Sequence, residues 1–221
     1  MLHYKIKQLF SAILISPYVV KNIQALKVDI VADQLPANQI DSILTIELHS
    51  WSYNLNTTNS KEKEQKPIKY WQVPVKIRGD ESLTVFNMRV KDILSQKQKE
   101  SDSFLIMNLV DNQSNENLAK SMKFLSTPKK AKLQKADISI LDIVVSEESV
   151  AEVIITLQSN VPTPYVFLEA IGYEGKFSDN AMTLLAGNSV KIHFFERYGQ
   201  SLDVNHFKKA LSIRSLDNET L

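Results

Sequence analysis

Residues 175–187 read Gly175-Lys176-Phe177-Ser178-Asp179-Asn180-Ala181-Met182-Thr183-Leu184-Leu185-Ala186-Gly187, and Asn188 follows. The physical content is a turn, a short apolar strand and a second turn. Gly175 can take a positive φ, and the short side chains of Ser178, Asp179 and Asn180 can hydrogen-bond nearby backbone. On either side lie Pro164-Tyr165-Val166-Phe167-Leu168-Glu169 and Val190-Lys191-Ile192-His193-Phe194, both of strand character. Upstream, Val153, Ile155 and Leu157 face one way while Glu152, Ile154 and Thr156 face the other. In the same manner Val190, Ile192 and Phe194 alternate with Lys191, His193 and Phe195. Strands are therefore expected at 136–145, 150–158, 164–171, 181–185, 189–195 and 209–215. Their spacing suits an immunoglobulin-like sandwich of roughly 90–100 residues.

The same texture continues toward the N-terminus. Leu26–Ala32 and Ile43–Trp51 alternate with period two, as does Tyr70–Ile77, where Pro74 favours an edge strand or a bulge. Residues 54–67 are polar and carry Lys61-Glu62-Lys63-Glu64, the pattern of a solvated loop. Thr84–Leu94 suits a strand followed by a helical turn. Ser103–Val110 is a strand, Asp111–Asn117 a polar loop, and Met122–Leu125 opens a closing strand. Thr127-Pro128-Lys129-Lys130-Ala131-Lys132 then makes a basic, proline-marked connection, and a domain boundary is expected near residue 130. The fold class expected is mainly β: two immunoglobulin-like antiparallel sandwiches preceded by a short helix.

That helix is placed at 1–16, with Tyr4, Leu9, Phe10, Ile13 and Leu14 near one face. The competing reading is a secretory signal, because Lys5 and Lys7 precede the apolar run Leu9–Ile15. No stretch approaches the ~20 apolar residues of a membrane span.

Bulk properties exclude several function classes. Of 221 residues, 43% are hydrophobic and 23% charged, which suits a packed globular chain rather than a disordered one. A formal net charge of +1 gives no electrostatic case for nucleic acid or an anionic membrane as partner. The chain has no cysteine, which removes disulfides, thiolate metal sites and a cysteine nucleophile. With five glycines it has no phosphate-cradling loop. His3, His49, His193 and His206 show no metal spacing. The stretch Asp111–Glu116 lacks the central glycine and terminal glutamate of a calcium loop. Neither a cofactor nor a metal is expected. Three glycosylation sequons occur, at Asn56, Asn112 and Asn218, all in polar sequence.

The turn Gly175-x-Phe177-Ser178-Asp179-Asn180 and its flanking strands resemble the C-terminal immunoglobulin-like domain of β-mannosidases. In that family a G-x-F-S-D-N turn precedes a Leu-rich strand and a Pro-Gly or similar turn. Leu211–Asp217 is similar to the family's closing strand. Met1-Leu2-His3-Tyr4 is similar to a run at the last helix of its catalytic barrel. The chain departs from the family pattern at Ala181-Met182, where Gly or an aromatic is usual, and at Ala186, where proline is common.

The resemblance implies a division into 1–16, the end of a missing barrel; 17–130, a first sandwich; and 131–221, a second. It implies a retaining hydrolase of terminal β-linked mannose, with both glutamates at strand ends of a (β/α)8 barrel. A barrel needs about 250 residues of alternating strand and helix, and this sequence does not supply them. Glu47, Glu152 and Glu169 stand singly on strands, and Glu147-Glu148 reads as a hairpin turn, so no catalytic residue is carried over. The chain's partner would be the barrel of the same polypeptide, and oligosaccharide would be met only through that barrel. Its N-terminus would then be a cut end, with Leu9, Phe10 and Ile13 exposed once the barrel is gone. A lysosomal or secretory location is implied if the parent is animal-like. The alternative is a secreted, non-enzymatic sandwich module that binds glycan or protein, with residues 1–20 as its signal. A third option is a remnant without function. Among the aromatics, Trp51, Tyr53, Tyr70, Trp71, Tyr165, Tyr173 and Tyr198 are the candidates for stacking on sugar faces.

Overall fold

A computed structural model describes residues 11–33, 39–53, 64–94 and 96–216. These residues group into two compact units. One holds the described residues of Ile6–Ser50 and Lys66–Ala131; the other holds those of Trp51–Gln65 together with Lys132–Leu221.

In the N-terminal unit seven strands form two antiparallel sheets. β1 (Ile13–Val20), β2 (Ala25–Ala32) and β5 (Glu81–Arg89) lie in the order β1-β2-β5. β3 (Ile40–Ser50), β4 (Lys69–Ile77), β6 (Ser103–Asp111) and β7 (Asn117–Phe124) lie in the order β4-β3-β6-β7. The period-two pattern sends Val28 and Ile30 from one sheet and Leu44, Ile46, Leu105 and Met107 from the other into a single core. Pro74 sits on edge strand β4, where its missing N–H breaks no ladder. A helical turn, α1 (Val90–Ile93), follows β5, and Lys69 Nζ donates to the Ile93 carbonyl at its end.

The expected helix at 1–16 needs correction. Residues 1–10 lie outside the described residues, but Ile13–Val20 is strand β1, paired antiparallel with β2. Ile13, Leu14 and Ile15 form a run too short to separate a 3.6-residue period from a period of two. Pairing with β2 decides it, burying Ile13 and Ile15 in the core. Ile13, expected to be exposed on a helix face, is 5% exposed.

The C-terminal unit repeats the architecture. β8 (Ile138–Val145), β9 (Glu152–Ser159), β11 (Gly175–Phe177) and β13 (Val190–Glu196) form the sheet β11-β13-β9-β8. β10 (Thr163–Ala170), β12 (Met182–Leu184) and β14 (Leu211–Arg214) form the sheet β12-β10-β14. Val153, Ile155, Ile192 and Phe194 from one sheet meet Val166, Leu168 and Leu184 from the other in a second core. This core is closed by Phe207 of α2 (Val204–Ala210).

The expected last strand at 209–215 is shorter, because α2 takes its first residues. The missed signal is Asp203, which caps the helix by accepting the His206 N–H at 2.9 Å, with Lys208 and Lys209 in the last turn. Residues 51–53 and 64–65, read from sequence as part of the first sandwich and then a solvated loop, are grouped with the C-terminal unit.

Two carboxylates serve local backbone. The Asp203 carboxyl is held below its usual value of 3.8 chiefly by the His206 N–H. Asp111 is held below the same value by the N–H groups of Ser114 and Gln113 in the β6–β7 turn. Because both values are depressed in the folded chain, the stability they contribute is present above pH 3.8 and drains away as pH falls through the lower folded-state values. Carboxyl-carbon NMR titration is expected to place both midpoints below 3.8. Midpoints at or above it contradict the capping geometry.

Candidate functional site

The residues singled out in the Gly175–Asn180 turn come together, and each has a physical task. Gly175 opens β11 opposite Glu196 of β13. It is not among the glycines with positive φ, which are Gly172, Gly187 and Gly199. The positive φ open to a glycine is therefore not used at Gly175. The site needs glycine because a Cβ there would run into the Phe194 ring and the Phe195 carbonyl. Phe177 is buried against Phe194, with ring centroids 5.0 Å apart. Ser178 extends the β11–β13 ladder past its last strand pair. Its N–H donates to the His193 carbonyl at 2.7 Å, and its hydroxyl accepts the His193 N–H at 3.0 Å. Asp179 Oδ1 accepts the N–H of Asn180 at 2.7 Å.

Asn180 is the centre of the arrangement. It is 1% exposed, and its amide reaches the backbone of Leu168 in the middle of β10. Oδ1 accepts the Leu168 N–H and Nδ2 donates to the Leu168 carbonyl, both at 2.8 Å. Oδ1 also accepts the Ala181 N–H at 2.9 Å. The side-chain amide thus pairs with β10 as a strand residue would, two residues beyond the last β10–β12 pair, Val166 with Met182. Between Thr163 and Val166, β10 has one more residue than β12 has between Leu184 and Met182. Ala181 follows at φ +57°, a left-handed conformation that costs a non-glycine residue roughly 1–2 kcal/mol. Tyr165, at φ +53°, lies within the irregular pairing. The closing turn has Gly187 at φ +79°.

The other candidate residues are dispersed. Asn112 is exposed in the turn after β6, with Nδ2 donating to Asp41 Oδ1 at 2.7 Å; Asn56 and Asn218 lie outside the described residues. Trp51 is fully buried, Trp71 packs edge-on against Phe86, and Tyr173 packs edge-on against Phe207. Tyr70 and Tyr198 are exposed, in different units. Glu174 accepts the Tyr198 hydroxyl and thereby raises the phenol above its ordinary value.

His49 is fully buried, with Glu47 at 3.0 Å and its ring stacked on Phe104. His193 meets Glu152 at 2.5 Å. Glu147 and Glu148 do occupy the β8–β9 turn, and with Glu152 and His193 they border an open cleft of about 460 Å³. Among the described residues no group of three or more His, Asp or Glu is placed to hold a metal ion. Nothing in the sequence marks His193 as a neighbour of those three glutamates, because β9 and β13 come together only in the folded sheet.

Residues 133–219 match the family model of the mannosidase Ig-fold domain (Ig_mannosidase). No match was found among curated proteins. Among solved structures the chain is similar to the β-D-mannosidase of Dictyoglomus thermophilum, at 12% identity and a TM-score of 0.64, covering 97% of this chain and 23% of that one. It is also similar to the exo-chitosanase CsxA of Amycolatopsis orientalis, at 12% identity and a TM-score of 0.58, covering 97% and 26%. At that identity the likeness establishes the fold. The chain spans about a quarter of the length of these two solved proteins. Within the C-terminal unit, residues 133–219 are the stretch that this Ig-fold domain model describes.

Replacing Asn180 by Ala leaves the Leu168 N–H and C=O without their side-chain partner in a buried setting. The expected loss is about 2–5 kcal/mol of stability in the C-terminal unit. Asn180→Asp, which keeps an acceptor but sets it against the Leu168 carbonyl, is expected to recover little of this. Urea unfolding followed by NMR in both units checks it. A loss below about 0.5 kcal/mol in Asn180→Ala, the level of an ordinary surface change, contradicts the assigned role.

Proposed function

We propose that this chain is the non-catalytic C-terminal β portion of a glycoside hydrolase of the β-mannosidase type, an enzyme that removes terminal β-linked mannose from oligosaccharides. The observation that carries the reading is the Ig-fold family match over residues 133–219. The two-sandwich course shared with a β-D-mannosidase over 97% of the chain supports it.

In this reading the sandwiches brace a catalytic barrel that belongs to the same polypeptide. That barrel supplies both carboxyl groups and all contact with oligosaccharide. The dispersal of the chain's own candidate residues agrees with a bracing role. So does the use of the G-x-F-S-D-N turn for backbone and core contacts. A secretory or lysosomal route for the parent is part of the proposal, with exposed Asn112 as the described sequon open to a glycan.

Immunoprecipitation from the native source with an antibody raised against this chain, followed by mass spectrometry and a β-mannoside hydrolysis assay, tests the reading. The expected result is a polypeptide several times longer than 221 residues, with β-mannosidase activity in the precipitate. A native product of 25.1 kDa without activity overturns it.

A further inference from the structure

The two sheets of the N-terminal unit present opposite kinds of outer face. On β2, the middle strand of its sheet, Lys27 and Asp29 lie on the side away from the core. Neighbouring β5 adds Asn87 opposite Lys27 and Thr84 opposite Asp29, with the Thr84 hydroxyl donating to Asp29 Oδ1 at 2.7 Å. That is the wet face expected of an antiparallel sheet with one buried side. The sheet β4-β3-β6-β7 departs from it. β6 contains Phe104-Leu105-Ile106-Met107-Asn108-Leu109-Val110, of which Leu105, Met107 and Leu109 enter the core. Ile106 and Val110 therefore lie on the outer face, where Val110 pairs with Ile43 of β3 and Ile106 with Met122 of β7. Near-continuous apolar sequence of this kind belongs to strands covered on both faces.

One end of this outer face is already buried. His49, Phe104 and Phe124, side by side across β3, β6 and β7, are 0%, 0% and 8% exposed. The next row is open: Glu47, Ile106 and Met122 are part-exposed, and Tyr70 of β4 is 66% exposed. The row beyond carries Thr45 and Asn108, which are uncharged hydrogen-bonding groups. Both carboxylates of β3 on this face have local partners, Glu47 in His49 at 3.0 Å and Asp41 in Lys76 at 3.3 Å. Such a surface suits neither a strongly charged ligand nor the dry interface of an obligate dimer. It suits the moderately polar contacts made between domains of one chain.

We propose that this outer face is where the N-terminal unit docks against a further domain of its own polypeptide, outside the 221 residues. The chain spans about a quarter of the length of the similar solved proteins, so a partner of that kind is at hand. The proposal rests on the reading of the chain as part of a longer glycoside hydrolase, and names the face through which it braces the rest.

Hydroxyl-radical footprinting of this chain alone and of the native polypeptide recovered from its source tests it, with mass measured on the same material. Methionine and tyrosine report access, because oxidation follows exposure. In a native polypeptide longer than 25.1 kDa, oxidation of Met122 and Tyr70 is expected to be lost. Tyr18, beside Lys27 on the opposite outer face, should be oxidised as in the chain alone. A longer polypeptide in which Met122 and Tyr70 stay reactive overturns the docking face and leaves the parent enzyme standing. Equal protection of Tyr18 overturns the docking face as well. A native product of 25.1 kDa overturns both readings. Protection that arises in the chain alone as its concentration is raised assigns the face to a second copy and overturns the proposal.

Discussion

The buried amide of Asn180 is the contact on which the C-terminal unit depends most. A sandwich whose strands differ in length must satisfy every backbone group where a ladder ends. Here β12 begins at Met182, opposite Val166, and Leu168, two residues further along β10, takes its partner from a side chain in the turn before β12. Around that amide the rest follows. Ser178 carries the opposite sheet one residue further, Phe177 drops into the core, and Gly175 lets β11 approach β13 closely. One turn thus belongs to both sheets and fixes how they face each other across the core of this unit.

This explains why so specific a turn can belong to a chain with no assigned chemistry. Its polar residues point at backbone, and Asn180 is buried. The left-handed Ala181 beside it is strained, at a position where the β-mannosidase pattern usually has Gly or an aromatic. Hydrogen bonds from Asn180 and packing of the fully buried Ala181 over-determine that conformation.

Much of this was legible in the sequence, for reasons that differ by element. Long alternating runs such as Ile43–Leu48 and Glu152–Leu157 declare their strands because the period-two burial pattern is unbroken through them. The turn was legible as a turn, but the reason for Gly175 was not, since a clash with Phe194 depends on β13 lying alongside. Ile13–Ile15 misled because three apolar residues fit either period, and only the pairing with β2 resolves them. The helix Val204–Ala210 is two turns long and overlaps the expected strand at Lys209 and Ala210, although Asp203 marked its start. The contact between Gln65 and Ala186 could not be read at all. Gln65 sits in polar, charge-rich sequence, and its partner Ala186 is 121 positions away.

The central claim is that the Asn180 amide acts as a strand partner for Leu168. Hydrogen exchange of the Leu168 amide in the unaltered chain tests it most directly, read against the ladder-bonded amides of β9 and β13. The account predicts that Leu168 exchanges as slowly as Ile155 and Ile192, through global opening of the unit. Exchange at Leu168 as fast as in the exposed β8–β9 turn would show that the bond does not hold in solution and would remove the basis of the account.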